Sequence, residues 1–130
     1  DLMNRVTLIE GYIPGAPIPQ QPYSVITSNS LLHHLPDPQV LWQTIKQYGQ
    51  PGTLVFVADL FRPGNQNEAH RIVETYSPNE PEVLKRDFYN SLLAAFTPDE
   101  VQVQLQQVEM SYLQVRAISD RHLLIYGEMR

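Results

Sequence analysis

The chain has 130 residues, a formal net charge of −5 and no cysteine, which fits one folded domain and excludes disulfides, thiolate zinc sites and iron–sulfur clusters. Fourteen acidic residues against nine basic ones argue against a nucleic-acid partner, and 42 % hydrophobic residues argue against disorder. No apolar run reaches about 18 residues and no signal peptide is visible, so we expect no membrane contact and a cytoplasmic location.

The first half of the chain predicts three strands and one helix. Arg5–Glu10 and Tyr23–Thr27 are rich in β-branched residues, which is typical of strands. The proline-rich segment 11–22 between them predicts an irregular loop. Helical spacing of apolar residues from Pro38 to Gly49 predicts a helix. The apolar run Thr53–Ala58 does not alternate, so it predicts a strand buried on both faces.

The second half predicts three helices and a hairpin. Apolar stripes at Ala69–Tyr76 and Leu84–Phe96 have helical spacing. Thr97-Pro98-Asp99-Glu100 is a capping box that begins a third helix. Ser111–Ile118 and His122–Gly127 are close enough to form an antiparallel hairpin. The many glutamines on the helices are interpreted as solvated surface.

Alternating strands and helices predict an α/β fold with a mainly parallel sheet, helices on both faces and an antiparallel hairpin at the C-terminal end. Ligands bind at the carboxyl ends of the strands in such sheets. Three of these ends can be identified, at Glu10–Tyr12, Thr27–Ser30 and Asp59–Arg62. Their hydroxyl, amide, carboxylate and guanidinium groups do not by themselves indicate one reaction.

One stretch resembles a known family. Leu-His-His-Leu-Pro-Asp-Pro at residues 32–38 follows a strand and a short polar segment, and it precedes a helix and a Pro51-Gly52 turn into the next strand. This order resembles that of class I S-adenosylmethionine-dependent methyltransferases. The resemblance implies a partial Rossmann-like sheet, with residues 1–130 forming the C-terminal portion of one methyltransferase domain from strand three onward.

The chain departs from the family pattern in its glycines and near the expected adenine site. It contains no Gly-x-Gly, so the glycine-rich first loop is expected to lie before residue 1 and the chain alone is expected to be inactive. Tyr12 stands where the family often has an aspartate. Thr53 replaces the second glycine of the family's Pro-Gly-Gly turn.

The resemblance implies roles for individual residues, with S-adenosylmethionine as the cofactor and a small molecule as the methyl acceptor. The implied cofactor-binding residues border the adenine or the methionine moiety: Gly11, Tyr12, Ile13, Ser28, Asn29, Ser30 and Leu31. The candidate bases or catalytic groups are His33, His34 and Asp59. The candidate substrate contacts are Arg62, His70, Tyr76 and Tyr89.

Structural interpretations compete with these roles. His33 and His34 could cap a strand end, and Asp59 could form a turn. A metal site that used the two histidines with Asp37 and His70 would match no recognised spacing. Ser30 lacks the Gly-x-Ser-x-Gly elbow of a hydrolase. A nicotinamide-binding Rossmann half is disfavoured by the absence of Gly-x-Gly.

A second class of function is an interaction module without catalysis. The family's strands one and two lie between strands three and four, so a chain that lacks them would leave the Tyr23–Thr27 strand with an open edge. Open edges pair readily with another chain. The sequence therefore predicts either docking of the Arg5–Glu10 strand beside Tyr23–Thr27 or a homodimer through that edge.

Overall fold

The computed structural model describes residues 1–130 and contains four strands and four α-helices. The strands are β1 (Val25–Asn29), β2 (Leu54–Leu60), β3 (Gln114–Ala117) and β4 (His122–Glu128). The helices are α1 (Gln39–Tyr48), α2 (Gln66–Tyr76), α3 (Glu82–Ala94) and α4 (Pro98–Gln107). Short 3₁₀ turns occupy Leu2–Arg5 and Leu32–His34. None of the helices is both long enough and apolar enough to cross a bilayer.

The strands form one mixed sheet in the order β1-β2-β4-β3. β1 and β2 are parallel, with Val25 opposite Leu54, and α1 makes the crossover between them. β4 runs antiparallel to both β2 and β3. The predicted α/β fold and C-terminal hairpin are therefore observed, but the expectation of a mainly parallel sheet is not confirmed, because only one pair is parallel.

The strand predicted at Arg5–Glu10 does not form, and the prediction that it pairs with the next strand is wrong. Residues 6–10 are exposed and make no backbone hydrogen bond to β1. A strand requires a partner for its amide and carbonyl groups, and β-branched composition cannot supply one. The segment instead lies beside β1 without pairing, and β1 keeps one open edge.

The main core lies on one face of the sheet, beneath α1 and α4. Nine of its fourteen members come from these two helices and from the inward-facing positions of the two central strands: Leu41, Trp42, Ile45, Val101, Leu105, Val55, Val57, Leu123 and Ile125. The opposite face is open at Leu54 and Phe56, which are 42 % and 43 % exposed. The prediction that this strand is buried on both faces is therefore wrong, because no helix of the chain covers its amino-terminal half.

Helices α2 and α3 form a separate pair with a smaller core. Ala69, Ile72 and Val73 of α2 pack with Leu92 of α3, and Leu60 at the carboxyl end of β2 packs against them. Along a strand, successive side chains point to opposite faces, so Leu60 belongs to the same face as Leu54 and Phe56. Helices thus contact both faces, but the second face is covered only near its carboxyl end.

The interpretation of the helix glutamines as solvated surface is wrong at Gln104. This residue on α4 is buried, and its Oε1 accepts a hydrogen bond of 2.9 Å from Nε1 of the fully buried Trp42 on α1. A buried indole N–H and a buried amide oxygen each need a partner. The bond joins the two helices that cover the core.

Replacing Trp42 with Phe should lower the free energy of unfolding by about 1–3 kcal/mol through the orphaned Gln104 oxygen alone. Chemical denaturation of the purified protein measures this loss. Adding Gln104→Leu to the variant should recover part of the stability, because no buried acceptor then lacks a donor. If the double variant is no more stable than Trp42→Phe, the loss comes from the lost ring volume and not from the hydrogen bond.

The capping box predicted for α4 is confirmed and is tied to the loop after β2. Thr97 Oγ1 accepts from the Glu100 amide, and Glu100 Oε1 accepts from the Thr97 amide at 2.9 Å. Arg62 Nη2 lies 2.9 Å from the same carboxylate oxygen. The Thr97 amide, and after it Arg62, holds the pKa of Glu100 below its ordinary value of 4.5.

Glu100→Gln should therefore reduce stability at neutral pH, and the difference from wild type should close in acid. A lowered carboxyl pKa contributes stability that is complete above the unfolded value of 4.5 and is lost as the pH falls through the folded value. Urea unfolding between pH 3 and pH 7 tests this. Glu80→Gln, which removes an exposed carboxylate without a hydrogen-bond partner, serves as the control and should show no such convergence.

Candidate functional site

A sharp turn after β1 places His33 and His34 near the carboxyl ends of β1 and β2. Ser30 has a φ of 60°, in the left-handed region that non-glycine residues seldom adopt, and its amide donates to the Ala58 carbonyl of β2. The chain then forms the 3₁₀ turn Leu32–His34, in which Leu32 is buried in the main core. The core thus anchors the turn and carries His33 to the end of β2.

His33 and Asp59, predicted separately, are in direct contact. His33 Nδ1 lies 2.5 Å from Asp59 Oδ1, and the His33 amide donates to Asp59 Oδ2 at 2.8 Å. Asp59 Oδ1 also accepts from the Leu60 amide at 2.7 Å. The two side chains are only 6 % and 1 % exposed. The pair therefore joins the ends of two neighbouring strands through a largely buried contact.

The partners of Asp59 determine which nitrogen of His33 carries the proton. A carboxylate that receives two amide hydrogens acts as an acceptor, so the 2.5 Å contact requires a hydrogen on Nδ1. Nε2 is then the acceptor nitrogen of the neutral ring. Nε2 has no protein hydrogen-bond partner and is not among the buried orphaned atoms, so it remains in contact with solvent.

His34 lies beside the pair but is not held by it. Its ring centroid is 4.0 Å from that of His33 at a tilt of 38°, and the residue is exposed. No side-chain hydrogen bond fixes its orientation. Of the two adjacent histidines, only His33 has a defined position.

A groove of about 550 Å³ lies beside β1, and neither His33 nor Asp59 lines it. Its walls are the segment from Thr7 to Tyr23, the open edge of β1 and the helix α1. Ten of its sixteen lining residues are hydrophobic, which leaves only a few polar groups to orient a ligand. Volume and lining match those of small-molecule sites in general.

Ser28 is the one groove residue with an orphaned polar atom. It lies near the carboxyl end of β1, and its Oγ is buried without a hydrogen-bond partner. Buried hydroxyls are nearly always paired in folded proteins, and the exceptions call for an explanation. A ligand in the groove would supply the missing partner.

The other residues expected near the cofactor are only partly brought together. Ile13 and Leu31 line the groove with Ser28. Asn29 and Ser30 are exposed at the end of β1, where Ser30 Oγ donates to Asn29 Oδ1. Gly11 and Tyr12 lie outside the groove lining, and Tyr12 is 90 % exposed. The expected adenine contact of these last two residues stays a prediction.

The four residues expected to contact substrate occupy three different places. Arg62 is bound to Glu100 and to the Ala95 carbonyl. His70 of α2 stacks on Tyr89 of α3, with centroids 4.3 Å apart. Tyr76 donates to Asp120 at the turn between β3 and β4 and lies under the Arg121 guanidinium.

Helix α1 contributes groove residues that were not expected to be functional. Leu41, Ile45 and Tyr48 form its apolar stripe and line the groove together with Thr44. Their helical spacing was visible in the sequence but indicated only core packing. No three His, Asp or Glu side chains lie close enough to hold a metal ion. His33, His34 and Asp37 therefore do not form such a cluster.

Asp59→Asn should lower the free energy of unfolding by about 1.5–3 kcal/mol, the range for hydrogen bonds to a charged group. The amide keeps the shape of the carboxylate, but its nitrogen faces donors that need an acceptor. Thermal and urea unfolding measure the loss. Asp87→Asn, an exposed position on α3, is the matched control and should change stability by less than about 0.5 kcal/mol. Equal effects would mean that the buried contact contributes nothing.

One of the comparisons with known proteins identifies a family. A family model described as a methyltransferase domain matches residues 6–115, which include every element from β1 to the first residues of β3. Comparison with curated proteins finds no match. The family match confirms the resemblance that was seen in the sequence around His33 and His34. The chain belongs to this family of class I methyltransferase domains.

Proposed function

We propose that the protein transfers a methyl group from S-adenosylmethionine to a small-molecule acceptor. The observation that carries the proposal is the groove beside β1 with its orphaned Ser28 hydroxyl. His33 and Asp59 join the carboxyl ends of β1 and β2 and do not line that groove. Family membership supports methyl transfer as the reaction class.

The groove fits an adenosyl compound in size and chemistry. Its volume of about 550 Å³ and its apolar lining suit a purine or an aliphatic chain. Ile13, Ile26 and Leu31 supply apolar surface, and the Ser28 hydroxyl is free to form one hydrogen bond. Ser28 and Leu31 would lie on the methionine side of the molecule, as expected for the end of this strand, and Ile13 would border the adenine.

Bound there, S-adenosylmethionine would supply a methyl group on a positively charged sulfur. The protein would align the acceptor for in-line displacement and exclude water from the reacting atoms. The turn anchored by Leu32 fixes one side of the reaction space. Helix α3 lies against that turn, so the α2–α3 pair is placed to cover the acceptor.

The charge of the chain favours a small-molecule acceptor over a polymer. Polymers such as nucleic acids require a positive surface, whereas the chain carries a net charge of −5. Arg62 already pairs with Glu100, and Lys85 of α3 already pairs with Glu74. Arg71 of α2 likewise pairs with Glu68, which leaves Arg86 as the one arginine or lysine of these two helices without an internal partner.

The substitution Ser28→Ala should weaken cofactor binding without lowering the free energy of unfolding. Removing an unsatisfied buried hydroxyl should leave the free energy of unfolding unchanged or slightly raised, whereas binding of S-adenosylhomocysteine should weaken about 5–10-fold through one lost hydrogen bond. Isothermal titration of the protein measures the affinity, and denaturation measures the stability.

Ser24→Ala is the matched control, because Ser24 precedes β1 and its exposed hydroxyl lies outside the groove lining. It should leave both quantities unchanged. If the wild-type protein does not bind S-adenosylhomocysteine, the proposed function is wrong. If Ser28→Ala binds as tightly as wild type, this residue does not contact the cofactor.

The competing proposal is an assembly module that pairs through the open edge of β1. The observation in its favour is that β1 has a neighbour on one side only, with Val25 46 % exposed. Sedimentation distinguishes the two functions. A concentration-dependent dimer without cofactor binding would support assembly, whereas a monomer that binds S-adenosylhomocysteine would exclude it.

A further inference from the structure

We infer that the cleft between α2 and α3 is a second small-molecule site, which binds a ligand that carries a carboxylate on a flat ring. The cleft has a volume of about 380 Å³ and shares no lining residue with the groove beside β1. Binding there is therefore independent of the proposed function. A volume at the small end of the range for ligand sites suits a molecule of one or two rings.

Two contacts between the helices form the walls of the cleft. Glu74 of α2 pairs with Lys85 of α3 at 3.3 Å, and His70 of α2 stacks on Tyr89 of α3 with ring centroids 4.3 Å apart. Tyr89 also packs against the small core of this helix pair, and the buried Val73 lines the cleft. Packing and an ion pair thus hold the walls in place, so little of the binding free energy is spent on ordering them.

Arg86 is the one cationic side chain of the cleft without a protein partner. It lines the cleft from α3, and its guanidinium makes no hydrogen bond or ion pair within the chain. Lys85 differs, because its ammonium already lies 3.3 Å from each oxygen of Glu74. A guanidinium presents a planar set of donors that matches a carboxylate through two parallel hydrogen bonds. The unpaired guanidinium therefore favours a planar anion.

Two carboxylates in the same cleft restrict the charge of the ligand. Lys85 balances the charge of Glu74, whereas Glu82 lies one helical turn before Arg86 and has no ion-pair partner. Residues four apart on a helix are neighbours, so Glu82 repels negative charge placed at Arg86. This repulsion doubles for a doubly charged group. A carboxylate with one charge therefore suits the cleft better than a phosphate with two.

The ring stack and an unpaired amide next to Arg86 favour an aromatic ligand. His70 and Tyr89 lie nearly parallel, at an angle of 19°, and neither side chain makes a hydrogen bond within the chain. A further ring can extend such a stack, and aromatic pairs gain free energy beyond their burial. Asn90 also lines the cleft, and its exposed amide can both donate to and accept from a polar substituent.

An NMR titration of the isotope-labelled protein tests the site, with benzoate and 2-naphthoate as probes. Both acids should shift the ring signals of His70 and Tyr89 and the side-chain amide signals of Asn90 in a saturable manner. Arg86→Gln should weaken their binding about tenfold, because a charge-assisted hydrogen bond is lost. Benzamide has the shape of benzoate without its charge, so it should bind wild type and Arg86→Gln equally weakly.

Arg116→Gln is the matched control, because Arg116 is an exposed arginine of β3 that has no ion-pair partner and lies outside the cleft. It should leave the affinity for both acids unchanged. Glu82→Gln should strengthen benzoate binding about twofold, the size of a charge interaction between helix positions four apart. S-adenosylhomocysteine should not displace benzoate, since the groove beside β1 is a different site.

Four results would overturn this assignment. The first is the absence of saturable shifts with both acids, and the second is equal affinity of wild type and Arg86→Gln for benzoate. The third is displacement of benzoate by S-adenosylhomocysteine, which would place the acid in the groove beside β1. The fourth is weaker benzoate binding in Glu82→Gln. Failure of the protein to bind S-adenosylhomocysteine would overturn the proposed function and leave the cleft as a carboxylate site.

Discussion

The arrangement of the site depends on one buried carboxylate. Asp59 is 2 % exposed, and a charge removed from water must be compensated by hydrogen bonds. Its oxygens receive the amides of His33 and Leu60 and the ring nitrogen of His33. These bonds can form only if the turn after β1 reaches the end of β2. The need to satisfy Asp59 therefore fixes the distance between the two strand ends.

The site lies between a rigid part of the molecule and an open one. On one side, Leu32 and Trp42 belong to the core beneath α1 and α4. On the other side, β1 has an open edge and Leu54 and Phe56 face solvent. The proposed site would use both properties, since its polar side chains are held by the core while the open edge leaves space for a ligand.

The sequence predicted those elements that depend on local signals. The capping box at Thr97 predicted the start of α4, and the hairpin followed from two strands with a short link. Elements that depend on distant partners were not predictable. The segment Arg5–Glu10 has strand composition but no strand to pair with, and the burial of Gln104 depends on a tryptophan 62 residues away. His33 and Asp59 were each identified as candidates, but their contact requires the left-handed turn at Ser30, which no local motif indicated.

The small separate core of the α2–α3 pair has a consequence for how the protein can diverge. Four buried residues hold this pair together, and none of them belongs to the core that anchors the His33 turn. Substitutions at these four positions can therefore change the packing of the two helices without altering the core that anchors the His33 turn. The two cores can in this way accumulate substitutions separately, although α3 and the turn remain in contact.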